Sequence, residues 1–174
     1  MRAIVGILLA AGSGRRFRAA HGGPRGGHKL LQPLPSGEPV GVTSARTLVA
    51  AVPDSLAVVR PGDAALTSVL RAAGLRIVEH PGAEQGMGTS IAAGVRASAG
   101  AGGWLIALGD MPWIRPETIR TLAEGLASGA SLVAPTYGGQ RGHPVGFAAH
   151  WGARLQALEG DIGARDLIAG ARHG

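Results

Sequence analysis

"RAIVGILLAAGSGRRF" (residues 2–17) decides the fold. Residues 2–10 form a continuous apolar run of strand length, and two glycines and a pair of arginines follow at once. A strand that is apolar on both faces belongs in a parallel sheet covered on both sides, where periodicity gives way to a solid Val/Ile/Leu run. The stretch superficially resembles a secretory leader, with one Arg and then apolar residues, but it is β-rich and runs into Gly-Ser-Gly-Arg-Arg instead of a cleavage site. It reads as a buried first strand.

The same pattern recurs along the chain. "SLAVVR" (55–60), "GLRIVEH" (74–80), "GWLIALGD" (103–110) and "ASLVAPT" (130–136) are further strand-length apolar runs. Between them, helical spacing covers 42–52, 63–73, 88–99 and 115–128. Strands alternating with helices imply a mostly parallel sheet flanked by helices. Thr43 or Ser44, Asp63, and Thr89 or Ser90 are read as helix starts, because their side-chain oxygens accept from free first-turn amides; Pro116 with Glu117 marks another start. After Thr136 the alternation breaks. "YGGQRGHPVGF" (137–147) reads as a glycine-rich turn entering a strand, and helical pieces at 150–158 and 163–171 close the chain. With neither a repeat nor a linker, residues 1–174 are read as one domain.

Composition narrows the partner. Hydrophobic residues make up 45% of the chain and aromatics only 3%, so the core is expected from small aliphatic side chains. The formal charge is +6, and Lys29 is the sole lysine beside sixteen arginines, a balance that favours an anionic partner. Nucleic-acid binders gather their cations on one face and interleave aromatics, whereas these arginines are spread along the chain; a small phosphorylated ligand fits better, with plain solubility as the other reading. Cysteine is absent, which excludes disulfides and thiolate metal sites. No apolar run reaches the ~18 residues of a membrane span, so neither a membrane nor a nucleic acid is expected as partner, and a cytoplasmic protein is expected.

In an open parallel sheet, ligands bind at the carboxyl ends of the strands, where the turn after the first strand emerges. Gly12 and Gly14 let a ligand approach backbone amides that can cradle phosphate oxygens, and Arg15 and Arg16 supply forked donors to the same oxygens. An ordinary tight turn explains the glycines equally. The dinucleotide fingerprint fails because Phe17 stands where a third Gly or Ala is needed, and the P-loop fails because Lys29 is followed by Leu30 rather than Ser or Thr. Lys29 itself is either a phosphate contact or a chance surface lysine.

Asp110 in "WLIALGDMPWI" (104–114) ends an apolar strand and is directed toward the same crevice. One or two carboxylates plus substrate phosphates suffice for Mg²⁺, and this placement favours a ligand over a turn role. Asp161 in "EGDIGARDL" (159–167) is a second acidic candidate or the cap of the last helix. "EQGMGTSIAAG" (84–94) puts Gly86, Gly88, Thr89 and Ser90 at a helix start, a natural anion site; capping explains the hydroxyl residues, but less readily the glycines. The six histidines have no zinc spacing. His143, beside Arg141, is a candidate substrate contact or a structural histidine at a strand start.

Taken in order, "LAAGSGRRF" with a following "KLL", "GMGTSIAAGV", "LGDMP", "APTYGGQRGHPVGF" and "GDIGARDL" resemble the molybdenum cofactor cytidylyltransferases and their MobA-like NTP transferase relatives, nearly end to end. The resemblance implies a three-layer, Rossmann-like α/β sandwich of the nucleotide-diphospho-sugar transferase kind, and transfer of a nucleoside monophosphate from an NTP to a phosphorylated acceptor with loss of pyrophosphate. It implies that the opening turn (Leu9, Ala10, Ala11, Gly12, Ser13, Gly14) wraps the triphosphate, that Arg16 and Lys29 contact phosphates, and that Asp110 binds Mg²⁺, with Asp161 as a second metal ligand. Gly86, Ser90 and His143 complete the candidate binding residues. Guanylyl relatives tend to read LAGG and cytidylyl relatives LAAG, as Leu9–Gly12 do here, which favours CTP. A molybdopterin-type acceptor follows, with a molybdoenzyme as possible partner; the rivals are a sugar- or alcohol-phosphate acceptor and a non-catalytic cofactor-binding chaperone. Lys29 stands thirteen positions after Arg16, a longer separation than the family usually has, and "RAAHGGPRGGH" (18–28) adds glycines and positive charge.

Overall fold

The computed structural model describes residues 2–12 and 28–171. The first apolar run forms β1 (Ile4–Leu9). After a 3₁₀ turn at Lys29–Leu31 come α1 (Val40–Ala51), β2 (Ser55–Val59), α2 (Ala64–Ala72), β3 (Arg76–Glu79), a 3₁₀ turn at Pro81–Gln85, α3 (Met87–Ala97), β4 (Gly103–Leu108) and α4 (Pro116–Ala127). The remainder is β5 (Leu132–Val133), β6 (Thr136–Tyr137), β7 (Gln140–Arg141), β8 (Val145–Ala148), a 3₁₀ turn at Ala149–Trp151, α5 (Gly152–Gln156) and α6 (Ala164–Ala171).

Six strands form one sheet in the order β3-β2-β1-β4-β8-β5. β1 pairs in parallel with β2 and β4, and β2 with β3, as the solid apolar runs predict. β8 is antiparallel to both its neighbours, so the sheet is mixed at one side. The expected strand over 130–136 is cut to two residues, and Thr136–Tyr137 instead turns back on Gln140–Arg141 through Gly138 and Gly139 at φ 55° and 79°. Two successive positive-φ residues suit the right-handed twist of a tight hairpin.

Alternate residues of each strand feed two cores. Val5, Ile7, Trp104 and Ile106 pack under α3, α5 and α6, through Ile91, Val95, Leu155 and Ile168. Leu8, Ala10, Leu105 and Ala107 pack under α1, α2 and α4, through Leu48, Leu66, Leu70 and Ile119. The result is three layers with helices on both faces. Register then aligns the strand ends: Leu9 lies opposite Val58 and Leu108, so Ala10–Gly12, Arg60 and Gly109–Asp110 all leave the sheet on one edge.

The predicted helix starts need correction. α1 begins at Val40, with Pro39 before it; Thr43 and Ser44 lie inside the helix and donate rather than accept, Thr43 Oγ1 to Glu38 Oε2 at 2.6 Å and Ser44 Oγ to Gly109 O at 2.7 Å. Asp63 occupies the capping position of α2 but makes no cap bond. α3 is preceded by Gly86, and Thr89 Oγ1 donates to Gly86 O at 2.8 Å. In each case another partner takes the side chain that propensity assigns to the cap: a backbone carbonyl for Ser44 and Thr89, the Glu38 carboxylate for Thr43 and the His28 ring for Asp63. Pro116 does open α4, with Glu117 in its first turn.

Candidate active site

A cavity of about 430 Å³ opens at the shared edge of β1, β2 and β4. Its walls are the opening turn (Leu9, Ala10, Ala11, Gly12), the 3₁₀ turn with its preceding residue (His28, Lys29, Leu30), Ala83 and Glu84, the start of α3 (Gly86, Met87, Ser90), Leu108 and Asp110 after β4, and Asp161. Nine residues singled out in the sequence thus meet in one place: Leu9, Ala10, Ala11, Gly12, Lys29, Gly86, Ser90, Asp110 and Asp161. Ser13, Gly14, Arg15 and Arg16 lie outside the described residues. His143 does not line this cavity; it borders a separate small cleft with Ser44, Thr47, Met111 and Pro144.

The opening turn is held from beneath by backbone bonds, Ala10 N to Val58 O at 2.9 Å and Gly109 N to Leu9 O at 3.1 Å. Arg60, which follows β2, donates from Nε to Ala11 O at 3.2 Å and from its terminal nitrogen to Glu84 Oε1 at 3.3 Å. Gly12 is exposed, has no positive φ, and has no described atom within 4 Å of where a Cβ would stand. Its value here is open approach rather than an unusual backbone angle.

Asp110 follows the last hydrogen-bonded residues of β4, and its neighbour Gly109 is fastened on both sides, by Leu9 O and by the buried Ser44 hydroxyl. Lys29 Nζ stands 3.0 Å from Asp110 Oδ2, with both side chains close to half exposed. An exposed ion pair of this kind contributes ~0–1 kcal/mol, so either member can be drawn to another partner at little cost.

The second carboxylate arrives by a different route. A Cβ on Gly86 would overlap Asp161 Oδ1 and the backbone of Gly160, and a Cβ on Gly88 would overlap Ile162 O; Gly88 N donates to Gly160 O at 2.9 Å. The segment 159–162 therefore lies directly against the start of α3, which accounts for the glycines that capping left unexplained. Among the described residues no three His, Cys, Asp or Glu side chains converge as a complete metal cage.

Sequence reasoning missed His28, Arg60, Glu84 and Met87. Arg60 was accessible from the rule that placed Asp110, since it too follows a strand at its carboxyl end; His28 had only its adjacency to Lys29.

The family described as the MobA-like NTP transferase domain matches residues 6–174. No curated protein matches the chain. Among solved structures, a manganese complex of Rv0371c from Mycobacterium tuberculosis is 22% identical, with a TM-score of 0.78 over 99% of this chain and 85% of that one. A nucleotidyl transferase from Methanothermobacter is 25% identical, with a TM-score of 0.79 over 98% and 83%. The molybdopterin-guanine dinucleotide biosynthesis protein A of Archaeoglobus fulgidus is 20% identical, with a TM-score of 0.59 over 95% and 74%. No described helix is long and apolar enough to cross a membrane.

Proposed function

The chain belongs to the MobA-like NTP transferase family, and from that premise we propose that it transfers CMP from CTP to a phosphorylated acceptor of molybdopterin type, releasing pyrophosphate. The observation that carries the reading is the convergence of Lys29, Asp110, Asp161 and the turn Leu9–Gly12 on one cavity at the carboxyl edge of the sheet. The choice of CTP rests on the LAAG reading at Leu9–Gly12.

The site suits a hard divalent cation. Asp110 and Asp161 offer oxygen ligands in one cavity, and the Lys29 ammonium already sits on Asp110 as a cationic stand-in. Two carboxylates, completed by substrate phosphates and water, are a normal donor set for Mg²⁺ or Mn²⁺. The manganese complex of the similar mycobacterial protein supports the same metal class. When bound, such an ion neutralises charge on the triphosphate.

In the transfer itself an acceptor phosphate oxygen forms a bond to the α-phosphorus, and the bond from that phosphorus to the bridging oxygen breaks, leaving pyrophosphate. The attacking group is already an anion, so no protein base is required; the work of the protein is alignment and charge stabilisation. Lys29, released from Asp110, and Arg16 meet the phosphates; the amide edge at Gly12 faces them; Ser90 and Gly86 flank the nucleotide from the start of α3. Pyrophosphate release is measured with CTP, GTP, ATP and UTP in turn, each with a molybdopterin-type acceptor and with sugar phosphates. CTP with the molybdopterin-type acceptor is expected to react fastest, and Asp110→Ala to abolish turnover. Near-normal turnover of that variant removes Asp110 from the chemistry, and tight cofactor binding without pyrophosphate release points to a carrier.

A further inference from the structure

We propose that His28 and Asp63 form a latch that holds Lys29 in the cavity, which makes His28 a positioning residue for the transfer; the inference rests on the nucleotidyl-transfer reading of that cavity. His28 Nδ1 accepts from the amide of Leu30 at 3.0 Å, and its other ring nitrogen, Nε2, lies 3.0 Å from Asp63 Oδ2. A nitrogen that accepts from an amide carries no proton, so the ring proton is on Nε2 and is donated to the carboxylate. Both ends of the imidazole are committed.

The two contacts fix the backbone on either side of Lys29. The Nδ1 contact closes a small ring from residue 28 to residue 30, with Lys29 inside it, and Leu30 plugs into the core beside Leu8 and Ala107. Asp63 stands at the capping position of α2, where a carboxylate ordinarily accepts from first-turn amides, yet it makes no such bond and meets His28 instead. A rigid helix is thereby linked through Asp63 and His28 to the residue bearing the cavity's lysine. A four-carbon stem has many rotamers, and a fixed root is the condition for its ammonium to meet a phosphate in one geometry.

The sole lysine makes the test direct. In protein labelled with [¹³C]lysine, the side-chain methylene signals come from Lys29 alone. Asp63→Ala and His28→Ala are expected to move them to the averaged values of a mobile lysine, whereas Asp63→Asn, whose amide oxygen still accepts from Nε2, keeps the wild-type pattern. In the pyrophosphate assay with CTP and Mg²⁺, Asp63→Ala and His28→Ala are expected to lower kcat about tenfold with KM changed less, and in a Lys29→Ala background the same substitutions are expected to add less than about a twofold loss. Unchanged lysine signals in both alanine variants overturn the latch, as does a full multiplicative loss in the Lys29→Ala background, which would mark a merely structural role. Because the spectra need no turnover, signals that shift in the two alanine variants while the wild-type protein releases no pyrophosphate would refute the enzymatic reading and leave the latch standing.

Discussion

Gly86→Ala separates two explanations for the glycines before α3. Gly86 has φ 121° and ψ 172°, a region essentially closed to residues with a side chain, and holding alanine there costs roughly 1–3 kcal/mol. The added methyl would also overlap Gly160 and Asp161 Oδ1. Backbone cannot rotate away as a flexible side chain does, so displacing that segment adds roughly 1–3 kcal/mol of overpacking. Together these come to about 4 kcal/mol, a large share of the ~5–15 kcal/mol that stabilises a domain, and correspond to a melting temperature lower by about 10 °C for a chain of this size. Urea unfolding and calorimetry of the variant measure this directly. Gly12→Ala is the contrasting case, since no described atom stands near the new methyl and the backbone is not left-handed there. It is expected to unfold within about 0.5 kcal/mol of wild type while kcat/KM for CTP falls about tenfold or more. Wild-type stability in Gly86→Ala would refute the close approach of 159–162 as the reason for glycine, and return that position to ligand contact alone.

Three further outcomes follow from the same geometry. Ser44→Ala removes the hydroxyl donor to the Gly109 carbonyl, and is expected to cost about 1–2 kcal/mol in urea unfolding and to lower kcat, because Gly109 carries Asp110; full activity would show that Asp110 is held without it. Burial, with a smaller push from the Arg96 charge, lowers the His80 pKa below its ordinary 6.5, and its Nε2 is buried without a hydrogen-bond partner among the described residues. The folded chain then binds fewer protons than the unfolded one as pH falls below ~6.5, so stability drops on acidification, and His80→Gln is expected to flatten that slope in melting curves between about pH 7.5 and pH 5; parallel slopes would contradict this. Chelation is expected to abolish pyrophosphate release and added Mg²⁺ or Mn²⁺ to restore it at once, since both cavity carboxylates are partly solvent-exposed; turnover persisting in chelator would exclude a metal-dependent transfer.

The parts of the fold set by local pattern were legible. Solid apolar runs located β1, β2 and β4, because burial on both faces leaves a direct trace in composition, while the edge strand β3, exposed or half-buried along its length, was marked by the shorter apolar pair Ile77–Val78; the alternation with helices gave the parallel pairing among them. The direction of β8 leaves no such trace. Nothing in "VGF" distinguishes the antiparallel β8 from a parallel strand, and the hairpin at Gly138–Gly139 that reverses the chain before it read only as a turn. The caps were misread for a related reason: Ser, Thr and Asp favour helix starts by offering one oxygen to a free amide, but Ser44 and Asp63 found stronger uses across the structure, at Gly109 and His28. Asp110 was legible because strand ends in such sheets face the ligand, whereas Asp161 read only as an acidic candidate or a cap and its metal role came with the resemblance, since no spacing rule brings residue 161 to residue 86.

That difference reaches into the chemistry. Asp110 is placed by sheet register, through Leu9 opposite Leu108 and the two bonds that fasten Gly109. Asp161 is placed by the bare backbone of Gly86 and Gly88, which lets segment 159–162 settle on the first turn of α3. The two carboxylates of one cavity therefore depend on different parts of the fold: the central strands hold the first, and the packing of segment 159–162 on α3 holds the second. Docking of a peripheral segment opens more readily than a central strand. The Asp110 half of the site accordingly stands with the core, and the Asp161 half is the part that local opening or ligand contact can move.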